Sequence, residues 1–332
     1  MELPPLEHQV SNTSALQPLD WSLYFENRQA VPFGDTTFNV YSSGLDNTGP
    51  VFMFHHGAGH SGLTFGLVSK HIYTSSTPPN VTVVAPDCRA HGATSGDGQD
   101  DLSLQRLVDD FVGIFDAMFP DNKRDVVLVG HSMGGAVVTH VAASKRVKNI
   151  LGLVVIDIVE GSAMDSLPSI PMFINARPKS FRSVEGAIQW HLESGSIQNP
   201  ESARLSVPSL IARVETEGDS SCAFWRWRTS LLPTEKYWHG WYLGLSRTFV
   251  SAPTARLLVL AGTDRLDKEL LIAQMQGKFQ LELLPAAGHT IQEDLPDRVG
   301  DIILSFWSRN RRLNIPVRRF APPAANQTSH QL

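Results

Sequence analysis

The segment "DVVLVGHSMGGAVVTHVAASK" constrains the chain most: a β-branched apolar run passes through one glycine-flanked serine straight into an Ala/Val-rich helical stretch. A side chain presented at so sharp a strand-to-helix turn needs a strained backbone. The glycines two residues either side, Gly130 and Gly134, let strand and helix approach closely. The helix N-terminus then sets free N–H groups and positive dipole where a negative oxygen would develop. This context turns a common G-x-S-x-G string into a candidate nucleophile, Ser132.

Other apolar runs fit the same architecture. "PVFMFHHGAGHS", "VTVVAPDCRAHG", "LGLVVIDIVEG", "ARLLVLAGTDRLD" and "FQLELLPAAGH" read as buried strands, and "TTFNVYSSG" as an edge strand. "LQRLVDDFVGIFDAMF" has helical spacing. Strands separated by helix-length segments predict an α/β fold, a mostly parallel central sheet flanked by helices. Residues 1–20 read as a loosely attached arm, 21–320 as one domain and 321–332 as a tail. Between about 161 and 250 no buried strand is evident, while five of the seven tryptophans fall there. This segment reads as an inserted helical cap whose tryptophans form its core, with one or two facing a pocket.

Composition narrows the function. A net charge of -5 lacks the basic footprint of a nucleic-acid binder. Two cysteines, Cys88 and Cys222, build no disulfide framework. No apolar run approaches a membrane span, and "MELPPLEHQV" is not a secretory signal. The expectation is a soluble intracellular protein.

Acyl transfer by Ser132 requires oxyanion donors, a base and an acid. The glycine-rich loop "FHHGAGHSG" suits a second donor, which gives the backbone N–H groups of Ala58 and Met133. His55, His56 and His60 crowd this loop, but their spacing fits no zinc pattern and no metal is expected. The base should follow the final strand, where "LPAAGHTIQEDL" offers His289. Two strands end in an acid suited to orient it: Asp157, and Asp264 with Asp267 behind. Chain order admits both, and topology leans toward Asp264.

Several strings are more specific. "GHSMGGA", "IDIVEGSAMDSL", "RPKSF", "ESARLSV", "TEKYWHGWYLGLS", "LAGTDRLDKELLIAQMQGKFQ" and "GHTIQEDLPDRV" resemble the protein phosphatase methylesterase family, serine esterases of the α/β-hydrolase fold. The similarity runs from about Trp21 to Phe320. It implies removal of the methyl ester on the C-terminal leucine of the type 2A protein phosphatase catalytic subunit, without a cofactor. It also implies a triad of Ser132, His289 and Asp157, which reverses the topological lean. Asp264 then becomes a candidate for shaping the loop near His289. Contact with the phosphatase tail and active-site face is expected, in the cytoplasm and nucleus. Met275, Trp238 and Trp241 are candidate substrate or partner contacts. "SRNRRLNIPVRRF" supplies five arginines, which read as a solvated helix end or as a second contact. Some members of the family carry a long acidic insertion in the cap, whereas "VETEGDSSCAFWRWR" is short.

Overall fold

Four strand ends meet along one edge of the central sheet, and that edge carries the chemistry. The computed structural model describes residues 13–76, 80–121, 123–216, 219–262 and 266–311. Its strands are β1 (Asn27–Phe33), β2 (Thr36–Ser43), β3 (Val51–His55), β4 (Thr82–Pro86), β5 (Ser95–Gly96), β6 (Val126–His131), β7 (Ile150–Ile156), β8 (Ile211–Thr216), β9 (Asp219–Trp227), β10 (Ala255–Leu260) and β11 (Gln280–Leu283). The main sheet runs β1-β2-β4-β3-β6-β7-β10-β11, with β5 beside β2. From β4 to β11 every pairing is parallel. His55 pairs with Gly130, and Ile156 with both His131 and Val259, so the exits of β3, β6, β7 and β10 fall at one level.

The inner strands are apolar throughout because helices cover both faces. Met53, Leu128, Leu153, Val155 and Leu258 point into one core, and Phe52, Phe54, Val127, Val129, Val154 and Val259 into the other. That alternation is the period of two expected of a strand. The first core is closed by α2 (Leu104–Met118) and α3 (Met133–Ser144), the second by α1 (Gly66–Ser75) and α12 (Pro296–Asn310). One sequence expectation changes here. "TTFNVYSSG" is no edge strand: β2 pairs with β1 on one side and β4 on the other. The edge on that side is β1, whose residues are mostly exposed or partly buried around a buried Val31 and which contains Pro32, as an edge tolerates.

Between β7 and β10 lie α4 (Glu160–Ser166), α5 (Ile170–Ala176), α6 (Val184–Glu193), α7 (Pro200–Leu210), α8 (Glu235–Tyr242) and α9 (Leu245–Ser251). The segment read as helical also holds the antiparallel β8–β9 hairpin, formed by the short "VETEGDSSCAFWRWR" stretch and the residues just before it. Ala187, Ile188, Ile197, Ala203, Val207 and Ile211 make a separate small core, with Trp190, Trp225 and Trp227 packed against it. The remaining helices are α10 (Lys268–Met275) and α11 (Ile291–Asp294).

The supposed arm is anchored where it is described: Leu19 N–H donates to the Arg204 carbonyl at 3.0 Å, and Arg204 Nε to that of Gln17 at 2.7 Å. Residues 1–12, the tail 321–332 and Asp264 lie outside the described residues, as do Arg312, Arg318 and Arg319. Among the described residues, no helix is long and apolar enough to cross a membrane.

Candidate active site

Ser132 stands alone between β6 and α3, with φ 52° and ψ −122°. Its N–H donates to the Ile156 carbonyl at 3.0 Å, and its carbonyl accepts from Gly135 N–H at 2.8 Å. The backbone is thus tied to the neighbouring strand and to the helix at once, which sustains the left-handed φ. Both flanking glycines are sterically required. A Cβ on Gly130 would lie 2.2 Å from the Gly134 carbonyl oxygen, and one on Gly134 would lie 2.1 Å from that of His55. Met133 opens α3, so its N–H has no acceptor within the helix.

Asp157 follows β7 and shares the unusual left-handed backbone, with φ 50°. Its N–H donates to the Val259 carbonyl at 2.8 Å, pinning the turn to β10. Carboxylate Oδ1 accepts Ala261 N–H at 3.1 Å, and Oδ2 lies 2.8 Å from His289 Nδ1. An ionised carboxylate only accepts, so Nδ1 carries the proton and Nε2 presents a lone pair. The acid's side chain is 0% exposed and that of His289 51%, an arrangement of shielded anion and open base.

The loop bearing His289 is fastened from several sides. His131 Nε2–H donates to the His289 carbonyl at 2.9 Å, Gly288 N–H donates to Asp294 Oδ2 at 2.7 Å, and Thr290 Oγ1 donates to the Ser196 carbonyl at 2.8 Å. Burial, with His289 and His60 nearby, holds His131 well below the ordinary imidazole pKa, so it stays a neutral donor. His131 is part of the G-H-S-M-G string, yet nothing in its residue type marks it as a support for the base. Tyr242 was also missed: burial pushes its phenol up to about 12, opposed by the Ser132 hydroxyl beside it.

The β3 exit loop closes against the serine: a Cβ on Gly57 would lie 3.1 Å from Ser132 Cβ. Two of its histidines, His55 and His56, bind backbone. His56 donates from Nδ1 to the Gly57 carbonyl at 2.8 Å and accepts Cys88 N–H on Nε2 at 2.9 Å. His91, on the neighbouring β4 exit, donates from Nδ1 to the Arg89 carbonyl at 2.7 Å and accepts Gly59 N–H on Nε2 at 2.8 Å. Burial lowers its pKa to about 4, which keeps that acceptor bare at neutral pH. Gly59 and His60 N–H groups are therefore engaged, while among the described residues that of Ala58 has no hydrogen-bond partner. Among the described residues no group of three or more His, Cys, Asp or Glu is arranged to hold a metal.

A cavity of about 260 Å³ opens beside His289, bounded by Ala58, His60, Arg177, Trp190 and Trp227. Trp238 and Trp241, read from sequence as candidate contacts, are instead core residues, 4% and 2% exposed. Their indole N–H groups donate inward to Thr234 Oγ1 and the Leu102 carbonyl. With Tyr242 they form the i, i+3, i+4 face that α8 turns inward, a pattern residue type alone cannot separate from a pocket wall. Met275, at the end of α10, is 79% exposed. Asp267 caps α10 through Leu270 N–H at 3.0 Å, a structural duty.

A strained serine turn, a shielded acid bonded to a histidine and an adjoining glycine loop define a serine hydrolase. The model of the "Alpha/beta hydrolase family" matches residues 52–302. The crystal structure of E-2-(acetamidomethylene)succinate hydrolase superposes with a TM-score of 0.67 at 20% identity, over 85% of this chain and 99% of that one. This likeness concerns the fold. In sequence, protein phosphatase methylesterase 1 of Rattus norvegicus is 40% identical over 334 residues, covering 89% of this chain and 85% of the relative. The protein of that name from Aspergillus fumigatus is 43% identical over 309 residues, covering 89% and 73%. The chain belongs to the protein phosphatase methylesterase family, within the α/β hydrolases, and is a serine esterase.

Proposed function

We propose that this esterase removes the methyl ester from the C-terminal leucine of the type 2A protein phosphatase catalytic subunit, inside the cell, with Ser132, His289 and Asp157 as its triad. The observation that carries the reading is the 2.8 Å hydrogen bond between Asp157 and His289 beside the Ser132 turn, in a chain of this family. In this scheme Ser132 Oγ attacks the leucine carbonyl carbon while His289 Nε2 takes its proton. The oxyanion forms against the Ala58 and Met133 amides. Collapse breaks the bond to the methoxy oxygen, which leaves as methanol with the proton from His289. Water then surrenders a proton to Nε2 and attacks the acyl carbon; the bond to Ser132 Oγ breaks, that oxygen takes the proton back from His289, and the carboxylate is freed. The buried charge of Asp157 stabilises the imidazolium in both steps.

Among the described residues no hydrogen bond joins Ser132 Oγ to His289. The contact then tightens in the substrate complex, as catalytic hydrogen bonds commonly do. Leu271, Ile272 and Met275 on α10 are exposed apolar side chains, which supports a protein partner there. Incubating methylated phosphatase with the wild-type chain and with Ser132→Ala, alongside a short acyl ester, tests the reading. Methyl loss should occur with the wild type alone. Efficient cleavage of the small ester without demethylation would make it a small-molecule esterase. Demethylation by Ser132→Ala would dismiss the mechanism.

A further inference from the structure

The cavity beside His289 leads to a charge that no described residue neutralises. Arg177 and Trp227 line this cavity and also a second one, of about 310 Å³, which takes in Lys179 and Arg226. The Arg177 guanidinium carbon lies 4.2 Å from the centroid of the Trp227 ring. That ring is itself fixed by its Nε1–H, which donates to the Pro178 carbonyl at 2.8 Å. Arg177 Nε is buried without a hydrogen-bond partner. No Asp or Glu lines either cavity, and among the described residues Arg177, Lys179 and Arg226 form no ion pair. Burial alone lowers the Arg177 pKa, with no carboxylate acting against it.

A guanidinium offers five donors in a planar fork, and holding it half-buried and unpaired is costly. The stack on Trp227 sets the direction of the fork, which suits a bidentate carboxylate. The methyl ester at the reacting end of the substrate is neutral. A cation in the same cavity therefore finds its counter-ion elsewhere on the substrate chain. We propose that the groove from His289 past Arg177 and Trp227 toward Lys179 and Arg226 takes an acidic segment of the substrate, a carboxylate side chain upstream of the esterified residue docking on Arg177. The proposal rests on the methylesterase reading and names what that site selects.

The test uses peptides of equal length ending in leucine methyl ester, with Asp or Glu at the three positions before the leucine, or with Asn or Gln there. The full-length wild type, Arg177→Gln and Arg177→Lys are compared by kcat and KM. The acidic peptide should be favoured about tenfold, the worth of one charge-assisted hydrogen bond, and mainly in KM. Arg177→Gln should bring the ratio near one whatever its overall activity, and Arg177→Lys should restore part of it. A wild type indifferent to the acidic residues, or a preference that survives Arg177→Gln, overturns the proposal. Arg177-dependent inhibition by the free-acid peptide, regardless of upstream charge, would assign the arginine to the product carboxylate and equally overturn it. Binding of the same peptides to Ser132→Ala, read by fluorescence anisotropy, gives the ratio without turnover. Methylated phosphatase is assayed in parallel: if the wild type leaves it methylated, the methylesterase reading fails while the binding ratio still judges the groove.

Discussion

Replacing Asp157 with Asn keeps the side chain's shape and removes its charge. In the wild type each carboxylate oxygen has its own donor: Ala261 N–H on Oδ1 at 3.1 Å and His289 Nδ1 on Oδ2 at 2.8 Å. An amide has one acceptor oxygen for these two donors. If the oxygen stays with Ala261, the new NH₂ faces Nδ1, and His289 must move its proton to Nε2, where it can no longer take one from Ser132. If the amide flips, His289 keeps its tautomer, but the Ala261 N–H meets another donor in a buried site. The second arrangement costs about 1–3 kcal/mol, so the first prevails. The imidazolium also loses its buried counter-charge. Together these should lower kcat by about 10³–10⁴ while KM changes little, as charge-removing amide substitutions of a triad acid do. Stability should hold within about 2 kcal/mol, because packing is unchanged. The assay is steady-state hydrolysis of a short acyl ester and of methylated phosphatase, with thermal melts as a folding control. Asp264→Asn is the comparison. An active Asp157→Asn beside an inactive, folded Asp264→Asn would refute the reasoning and move the acid to the following strand.

Three further outcomes are expected. Burial pushes the Glu293 carboxyl up to about 8, above its unfolded value of 4.5, so the folded chain holds a proton that the unfolded chain has lost. Its stabilising effect is complete below pH 4.5 and is lost as pH rises toward 8; Glu293→Gln should therefore gain on the wild type across that interval, by on the order of 3 kcal/mol. Melts at pH 5 and pH 8 measure the gain, and equal differences at the two values would contradict it. His91→Phe removes the acceptor of Gly59 N–H and frees the loop carrying Ala58, so kcat should fall about 10–10²-fold with weaker binding of a boronic-acid analogue. Unchanged analogue affinity would count against this role. Ser132→Gly relieves the left-handed backbone at φ 52° and should melt higher than Ser132→Ala, by about 1 kcal/mol of stability. A lower melting point would show that the turn is not strained.

Ser132 was legible because the nucleophile turn is a steric problem with one common solution: small residues at 130 and 134, an apolar strand before and a helix after. The inner strands were legible for a similar reason, since covering both faces of a sheet demands unbroken apolar runs. Features set by tertiary position were not. β1 hides behind Pro32 and an exposed face, and β2 alternates like an edge strand although it has neighbours on both sides. The β8–β9 hairpin escaped because Trp225 and Trp227, which share one strand face, pack on a small local core outside the main sheet, and only two residues show the alternation.

The site divides along the same line. Asp157 and Asp264 both end apolar strands, and nothing local distinguishes them; family resemblance chose Asp157. The hydrogen bond to His289 depends on how the β7 exit turns from the sheet, and that turn includes a backbone conformation at Asp157 that its residue type does not announce. His131 and His91 are harder still. Each acts through the backbone of another segment, and the partners are a carbonyl and an N–H that every residue possesses. Sequence can thus identify groups whose chemistry is in their side chains. The groups that hold a base or an oxyanion loop in place become visible only when the distant backbone they bind is known. Arg177 belongs to neither set: its meaning comes from the counter-charge missing around it, and a substrate residue is what would complete it.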